Sequence, residues 1–429
     1  MNFFKRYQKI LLVIGFLVLV AIIGYFIWIT FFKPFYGPEG PGSETATNTS
    51  GRLPEAGQGQ YGSGDINDPG NLPQEPTTDT DPGSQRPDQY PEPSLRDDEP
   101  SPIAIGGVTK TTRISNTQTL GASLSADGRK LQYYDYATGQ FYRLDQNGNT
   151  ELLSDKVFHQ VQNVTWSPQK NTAILEYPDG SNIVYDFDRE RQVTLPAHWE
   201  DFEFSSSGDQ IVAKSLGLDP ENRYLIVSNT DGSEVKALEY IGENDDKVYP
   251  NWSPNNQVAA MYTKSLDFDR QNLYFIGLNN ENFKSTVIEG RGLTAQWSEK
   301  GDKLLYSAYN SNSNLMPELW IVNAQGNSTG TGRKKLNVQT WADKCTFSND
   351  RYVYCAVPKE LPEGAGLFPE LALRTSDDLY KIDTITGLKS LVAVPDGNYN
   401  ISELMLSPDN SNLYFTDLEN RQIYNIRLK

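Results

Sequence analysis

The chain has 429 residues, with 38 Lys and Arg against 55 Asp and Glu, for a formal net charge of −17. So acidic a balance leaves no basic stripe to neutralise phosphates and excludes nucleic acid as a partner. The two cysteines and two histidines do not stand at zinc-ligand spacings.

Residues 1–9 carry Lys5, Arg6 and Lys9, and are followed by 23 residues, 10–32, without a charge. At the helical rise such a run spans about 34 Å, enough for a bilayer core of about 30 Å. The apolar stretch continues through Gly24-Tyr25-Phe26-Ile27-Trp28, past the length of a cleaved signal peptide, so a single transmembrane helix is expected. Basic residues cluster ahead of it, which predicts a cytoplasmic N-terminus and an extracytoplasmic remainder in the cell membrane. Residues 33–105 are rich in Pro, Gly, Ser, Thr and acids. Over 37–100, 13 acids face only Arg52, Arg86 and Arg96. Such a segment cannot bury a core and is expected to be a disordered tether.

From residue 106 to 429 a unit recurs seven times. An aromatic residue or Leu is followed by Ser at Leu124-Ser125, Trp166-Ser167, Phe204-Ser205, Trp252-Ser253, Trp297-Ser298, Phe347-Ser348 and Leu406-Ser407. Each Ser leads into turn chemistry and then a short β-branched or aromatic run, such as Leu131-Tyr134 or Leu304-Tyr306. A third strand recurs as Phe141-Leu144, Leu319-Val322 or Ile423-Ile426, and a fourth follows a second turn. Four short antiparallel strands per repeat of roughly 45 residues predict an all-β fold, a seven-bladed β-propeller. Repeat seven ends after its third strand. The orphan run Val108–Ile114 is expected to supply its missing outer strand and close the ring. Trp166, Trp252 and Trp297 hold a fixed place in the repeat, so they are read as inter-blade packing rather than a sugar-stacking set.

The runs Leu124-Ser-Ala-Asp-Gly-Arg-Lys-Leu131 and Leu406-Ser-Pro-Asp-Asn-Ser-Asn-Leu413 resemble the repeat of TolB-like (WD-repeat-like) propellers, and Asp383-Thr-Ile-Thr-Gly387 resembles that family's outer turn. The resemblance implies the propeller fold over roughly 106–429. Family members serve as periplasmic scaffolds, ligand platforms and peptidase gating domains, with no common functional residue to carry over.

Cys345 and Cys355 flank the turn Asn349-Asp350-Arg351. Pairing Ser348 with Tyr352 sets them opposite one another, where they either form a disulfide or stay as reduced strand cysteines; an external location permits the bond. His159 and His198 fall in connections between blades. No nucleophile elbow, phosphate loop or metal-ligand spacing is present, so no catalytic residue, metal or cofactor is expected. Connections between second and third strands lengthen at Leu216–Arg223, Ser265–Asn272, Ala308–Glu318 and Pro358–Asp378, on one face of the ring. They carry the candidate partner-binding residues Phe268, Met316, Leu361, Leu367 and Phe368. The alternative is that the longest insertion folds back over its own blade. The expected function is a monomeric, membrane-anchored propeller that binds an envelope protein or cell-wall component. The alternative is the propeller of an enzyme system, peptidase-associated or glycan-active, with a carboxylate site.

Overall fold

A computed structural model describes residues 99–145 and 148–429; the expected transmembrane helix at 10–32 and most of the 33–105 tether lie outside them. Among the described residues no helix is long and apolar enough to cross a membrane.

The described strands form seven sheets, in each of which the strands after residue 118 run in chain order from innermost outward. Blade 1 is Thr119–Leu124, Leu131–Asp135, Gln140–Leu144 and Thr150–Leu152. Blade 2 is Asn163–Trp166, Thr172–Glu176, Asn182–Asp186 and Arg191–Leu195. Blade 3 is Trp199–Phe204, Gln210–Leu216, Arg223–Asn229 and Lys236–Tyr240. Blade 4 is Val248–Pro250, Ala260–Ser265, Gln271–Ile276 and Thr286–Ile288. Blade 5 is Arg291–Trp297, Lys303–Tyr309, Glu318–Asn323 and Lys334–Lys335. Blade 6 is Cys345–Phe347, Tyr352–Pro358, Asp377–Asp383 and Lys389–Pro395. Blade 7 is Ile401–Leu406, Asn412–Asp417 and Ile423–Arg427. The chain is thus a seven-bladed propeller of antiparallel blades.

Burial within a blade explains why some strands were easier to read than others. The second strand of blade 2 is buried at four of its five residues, because neighbouring blades cover both its faces, and its centre is the apolar run Ala173-Ile174-Leu175. The outermost strand Thr150–Leu152 is exposed throughout and has no such signature. Apolar packing divides into seven clusters, one at each contact between adjacent blades. Trp166, Trp252 and Trp297 sit in three of them, as their place in the repeat implied.

The recurring Ser has a backbone role. In blade 1 the Ser125 hydroxyl accepts the Lys130 N–H at 3.1 Å and donates to Asp127 at 2.6 Å, closing the turn between the first two strands. Ser205, Ser253, Ser298 and Ser407 likewise accept an N–H from five residues ahead. In blade 6 the turn is one residue shorter, and the Asn349 side chain takes over by accepting from Arg351 and Tyr352.

Closure departs from the expectation in one respect. The run Val108–Ile114 does not lie on blade 7 as one strand. Only Thr112–Arg113 pairs there, antiparallel to Ile423–Arg427, with Ile114 N–H donating to Ile423 O at 2.8 Å. Val108–Thr109 instead pairs parallel to Lys389–Pro395 as a fifth strand on blade 6. The physical reason is the seven-residue outer edge of blade 6, whose backbone groups would otherwise be unpaired. Asp396 fixes the crossing between blades by accepting the Thr111 N–H at 3.0 Å. Packing on the ring begins ahead of residue 106, since Ser101 bridges to Thr109 and Ala104 N–H donates to Arg427 O.

The two added strands should separate in a truncation series. Removing 1–98 should leave a monomer with unchanged melting temperature. Removing 1–110 should lower it by a few degrees. Removing 1–118 should expose both edges and give aggregates on size-exclusion chromatography. Identical behaviour of the last two would disprove this account of closure.

Candidate functional site

Blades 4, 5 and 6 raise their second-to-third connections into one crest on a single face. In blade 4 the connection is a tight turn in which Leu266 and Asp267 N–H both reach Arg270 O. Arg270 closes it by donating to Asp267 at 2.8 Å. Arg291, on the first strand of blade 5, donates to Phe268 O at 2.9 Å and Asp267 O at 2.5 Å, and its guanidinium lies 5.8 Å from the Phe268 ring. Asp269 accepts both the N–H and the hydroxyl of Ser311, in the blade 5 connection, at 2.8 Å each.

That second connection is built on a short helix, Ser311–Ser313, capped by Asn310. Asn314 and Leu315 follow at φ 52° and 56°, which turns their carbonyls outward. The blade 6 insertion uses both: Gly364 N–H donates to Asn314 O at 2.9 Å and Gly366 N–H to Leu315 O at 2.8 Å. Gly366 is required there, since a Cβ would lie 2.6 Å from Tyr309 Cβ and 2.7 Å from Leu315 O.

The insertion therefore docks its backbone on the neighbouring blade and leaves several large side chains outside. Ala365 and Ala372 are buried, whereas Leu367 is 41% exposed, Phe368 52% and Phe268 61%. Met316 and Leu361 are half-buried. The longer blade 3 connection presents a fully exposed Leu218 and is tied through Arg223 to Asp245 at 3.4 Å.

Beneath the insertion lies a buried polar knot that sequence reading missed. Lys344 Nζ donates to Asp377 at 2.8 Å and to the Asn400 side-chain oxygen at 2.9 Å. Asp377 also accepts the Ile401 N–H at 2.6 Å, and Asn400 Nδ2 donates to Ala372 O, within the insertion, at 2.7 Å. All three residues are buried. Desolvation pushes the Asp377 carboxyl up, and the Lys344 charge opposes it. The knot pins the end of the insertion to blade 7. Only the position of Lys344, one residue before an inner strand, hints that it is not a solvated lysine.

Cys345 pairs with Cys355 in register, and their sulfurs are bonded. Glu203, on the innermost strand of blade 3, is pushed up to about 7 by burial alone. Among the described residues no group of three or more His, Cys, Asp or Glu is placed to hold a metal.

No protein-family model and no curated protein matches the chain in sequence. Among solved structures it is similar to the β-propeller domain of Cps50 (Swd1) from Myceliophteria thermophila, at 13% identity and TM-score 0.49, covering 74% of this chain and 100% of that one. It is similar to an oligogalacturonate lyase in complex with manganese, at 14% identity and TM-score 0.47, covering 74% and 93%. An oligogalacturonate lyase from Vibrio parahaemolyticus gives 10% identity and TM-score 0.45, again over 74% and 93%. The architecture rests on the seven sheets themselves, and these likenesses carry nothing about the site.

Replacing Lys344 by Met strands a buried carboxylate. The variant should lose about 3–5 kcal/mol in denaturant unfolding, and residues 359–376 should become protease-sensitive first. A loss below about 1 kcal/mol would mean that Lys344 does not hold the insertion down.

Proposed function

We propose that this propeller is a non-catalytic binding module, a membrane-anchored member of the TolB-like class held outside the cytoplasm, and that a protein partner of the envelope docks on the crest of blades 4–6. The observation that carries the reading is the crest itself. Three connections from three blades are locked together by backbone and side-chain hydrogen bonds, yet Phe268, Leu367 and Phe368 remain outside the lock. Function concentrates in loops fixed on a rigid scaffold, and a rigid loop loses little entropy on binding. Exposed aromatic and aliphatic side chains in a fixed frame are the usual anchors of an interface. Glu360, Glu363 and Glu370 belong to the same insertion as Leu367 and Phe368 and are all exposed. The matching partner segment therefore carries an apolar anchor flanked by Lys or Arg.

The test is the double variant Leu367→Ser, Phe368→Ser. An envelope protein that photo-crosslinks to a reactive group at Leu371 in the parent chain should no longer do so. Stability should stay within about 0.5 kcal/mol, because neither side chain is buried. Undiminished crosslinking would exclude this face, and a large loss of stability would show that the insertion covers its own blade.

Support for the anchor comes from the uncharged run at 10–32 and the basic residues ahead of it. Protease added to intact cells, or to spheroplasts where an outer membrane is present, should cut within 33–105 and release the propeller. Protection while an external marker is digested would overturn the topology.

A further inference from the structure

The turn between the third and fourth strands of blade 6 departs from its equivalents. In blade 2 that turn exposes Asp188, Arg189 and Glu190, in blade 4 Asn279, Asn280 and Glu281, and in blade 5 Gln325, Gly326 and Asn327. In blade 6 it exposes two aliphatic side chains, Ile385 at 56% and Leu388 at 72%. The turn is also locked. Asp383 accepts the N–H of Ile385 at 2.8 Å and of Thr386 at 3.1 Å, and the Arg351 guanidinium donates to it at 2.6 Å. Thr384 donates to Arg351 O through both its N–H and its hydroxyl, at 2.8 Å each. Two large aliphatic side chains held in water forgo the free energy that an apolar phase would return.

Charge is the second observation. Lys334 Nζ donates to Ile385 O, and Lys389, the residue after Leu388, donates to Asn337 O at 3.3 Å. Neither is in an ion pair among the described residues, whereas Arg333, Lys335 and Arg351 each hold a carboxylate. A backbone carbonyl does not cancel a charge, so the turn is flanked by two uncompensated ammonium groups in a chain of net charge −17. Place is the third observation. Successive connections of an antiparallel blade leave by opposite ends, so this turn lies on the face away from the crest of blades 4–6. The N-terminal part of the chain also reaches the ring at this blade: Ser101 bridges to Thr109, whose strand pairs with Lys389–Pro395.

We infer that this tip of blade 6 docks on an anionic membrane surface, with Ile385 and Leu388 entering the lipid interface and Lys334 and Lys389 facing lipid phosphates. Interfaces between proteins favour aromatic residues and Arg and are poor in Lys, whereas protruding aliphatic side chains rimmed by lysines match a peripheral lipid contact. The inference rests on the anchor at 10–32 proposed above, which keeps a bilayer within reach. A weak contact is then enough, because it is made within one tethered molecule. In this pose the crest faces away from the lipid, open to its partner.

The full-length chain is reconstituted in vesicles of phosphatidylcholine, or of an equimolar mixture with phosphatidylglycerol. Thr386→Cys carries an environment-sensitive fluorophore; the native cysteines are bonded to each other and buried, so the label is unique. Its emission should shift to shorter wavelength, and be quenched by a lipid-borne quencher, in the mixed vesicles alone and only at low salt. The same label in Glu363→Cys, on the crest, should stay water-like. Ile385→Ser with Leu388→Ser should abolish the shift at an unchanged melting temperature, since both side chains are exposed. Lys334→Gln with Lys389→Gln should lower the ratio of docked to free tip about thirtyfold. Alkaline washing reads the anchor separately: chain stripped from the vesicles refutes the span at 10–32. A water-like label at 386 in the mixed vesicles overturns the tip contact whether or not the chain resists the wash. An equal shift in both kinds of vesicle, or one that survives the double Ser variant, overturns it too.

Discussion

No blade of this molecule has a core of its own. Each of the seven apolar clusters straddles two neighbours, so a blade is stable only when both its faces are covered. The ring must therefore close, and one contact depends on chain segments about 300 residues apart. Tyr414 and Ile423 of blade 7 pack on Ala122, Leu131, Tyr133 and Leu144 of blade 1. Fully burying a large apolar side chain is worth about 1.5–3 kcal/mol, while a backbone hydrogen bond nets about 1. Apolar contact thus holds the last blade to the first. The few hydrogen bonds of Thr112–Arg113 fix its register and remove the open edge.

Closure also explains where variation is tolerated. A ring clamped at every blade contact can carry an insertion of some eighteen residues, 359–376, without strain on its strands, since loop entropy grows slowly with length. What such an insertion needs is an anchor. It has two of different kinds: the carbonyls of Asn314 and Leu315 on one side, and the Lys344–Asp377–Asn400 knot on the other. The first is backbone presented by residues in the left-handed region, and the second is a buried ion pair that tolerates no partial loss. Together they hold the chain so that its large side chains face outward.

The seven-fold repeat was legible because the Ser-turn unit and the doubly covered second strands impose a period that no other constraint disturbs. Cys345 opposite Cys355 was legible for the same local reason, as a short turn fixes register. The split of Val108–Ile114 was not. Its residues favour extended backbone anywhere, and the choice between two edges depends on Lys389–Pro395, some 280 residues away. The crest was half legible. Loop lengths placed it, and the apolar load of Leu367 and Phe368 marked it, but the hydrogen bonds that decide docking against folding back come from the adjacent blade.

The innermost strands show how chemistry beyond the repeat enters the ring. In blades 1, 3, 5 and 7 the first strand slips register at one equivalent place, and the extra residue has positive φ: Gly121, Asp201, Gly292 and Glu403. Glycine answers the need twice. A Cβ on Gly121 would lie 2.7 Å from Val164 Cβ, and one on Gly292 2.4 Å from the Tyr309 ring. Asp201 and Glu403 cost about 1–2 kcal/mol of backbone energy each, and each gains bonds glycine could not make. Asp201 pairs at 2.6 Å with Lys214, whose ammonium also donates to Asp245 O ahead of blade 4. Glu403 accepts from Thr416 at 2.7 Å and from Ala122 N–H of blade 1 at 3.3 Å. Both carboxylates are solvent-exposed, so these bonds return only part of the strain. One bulge therefore serves two purposes: with glycine it admits a close neighbour, Val164 of the next blade at Gly121 and Tyr309 of the same blade at Gly292, and with a carboxylate it gains bonds, of which the one from Ala122 to Glu403 joins blade 7 to blade 1.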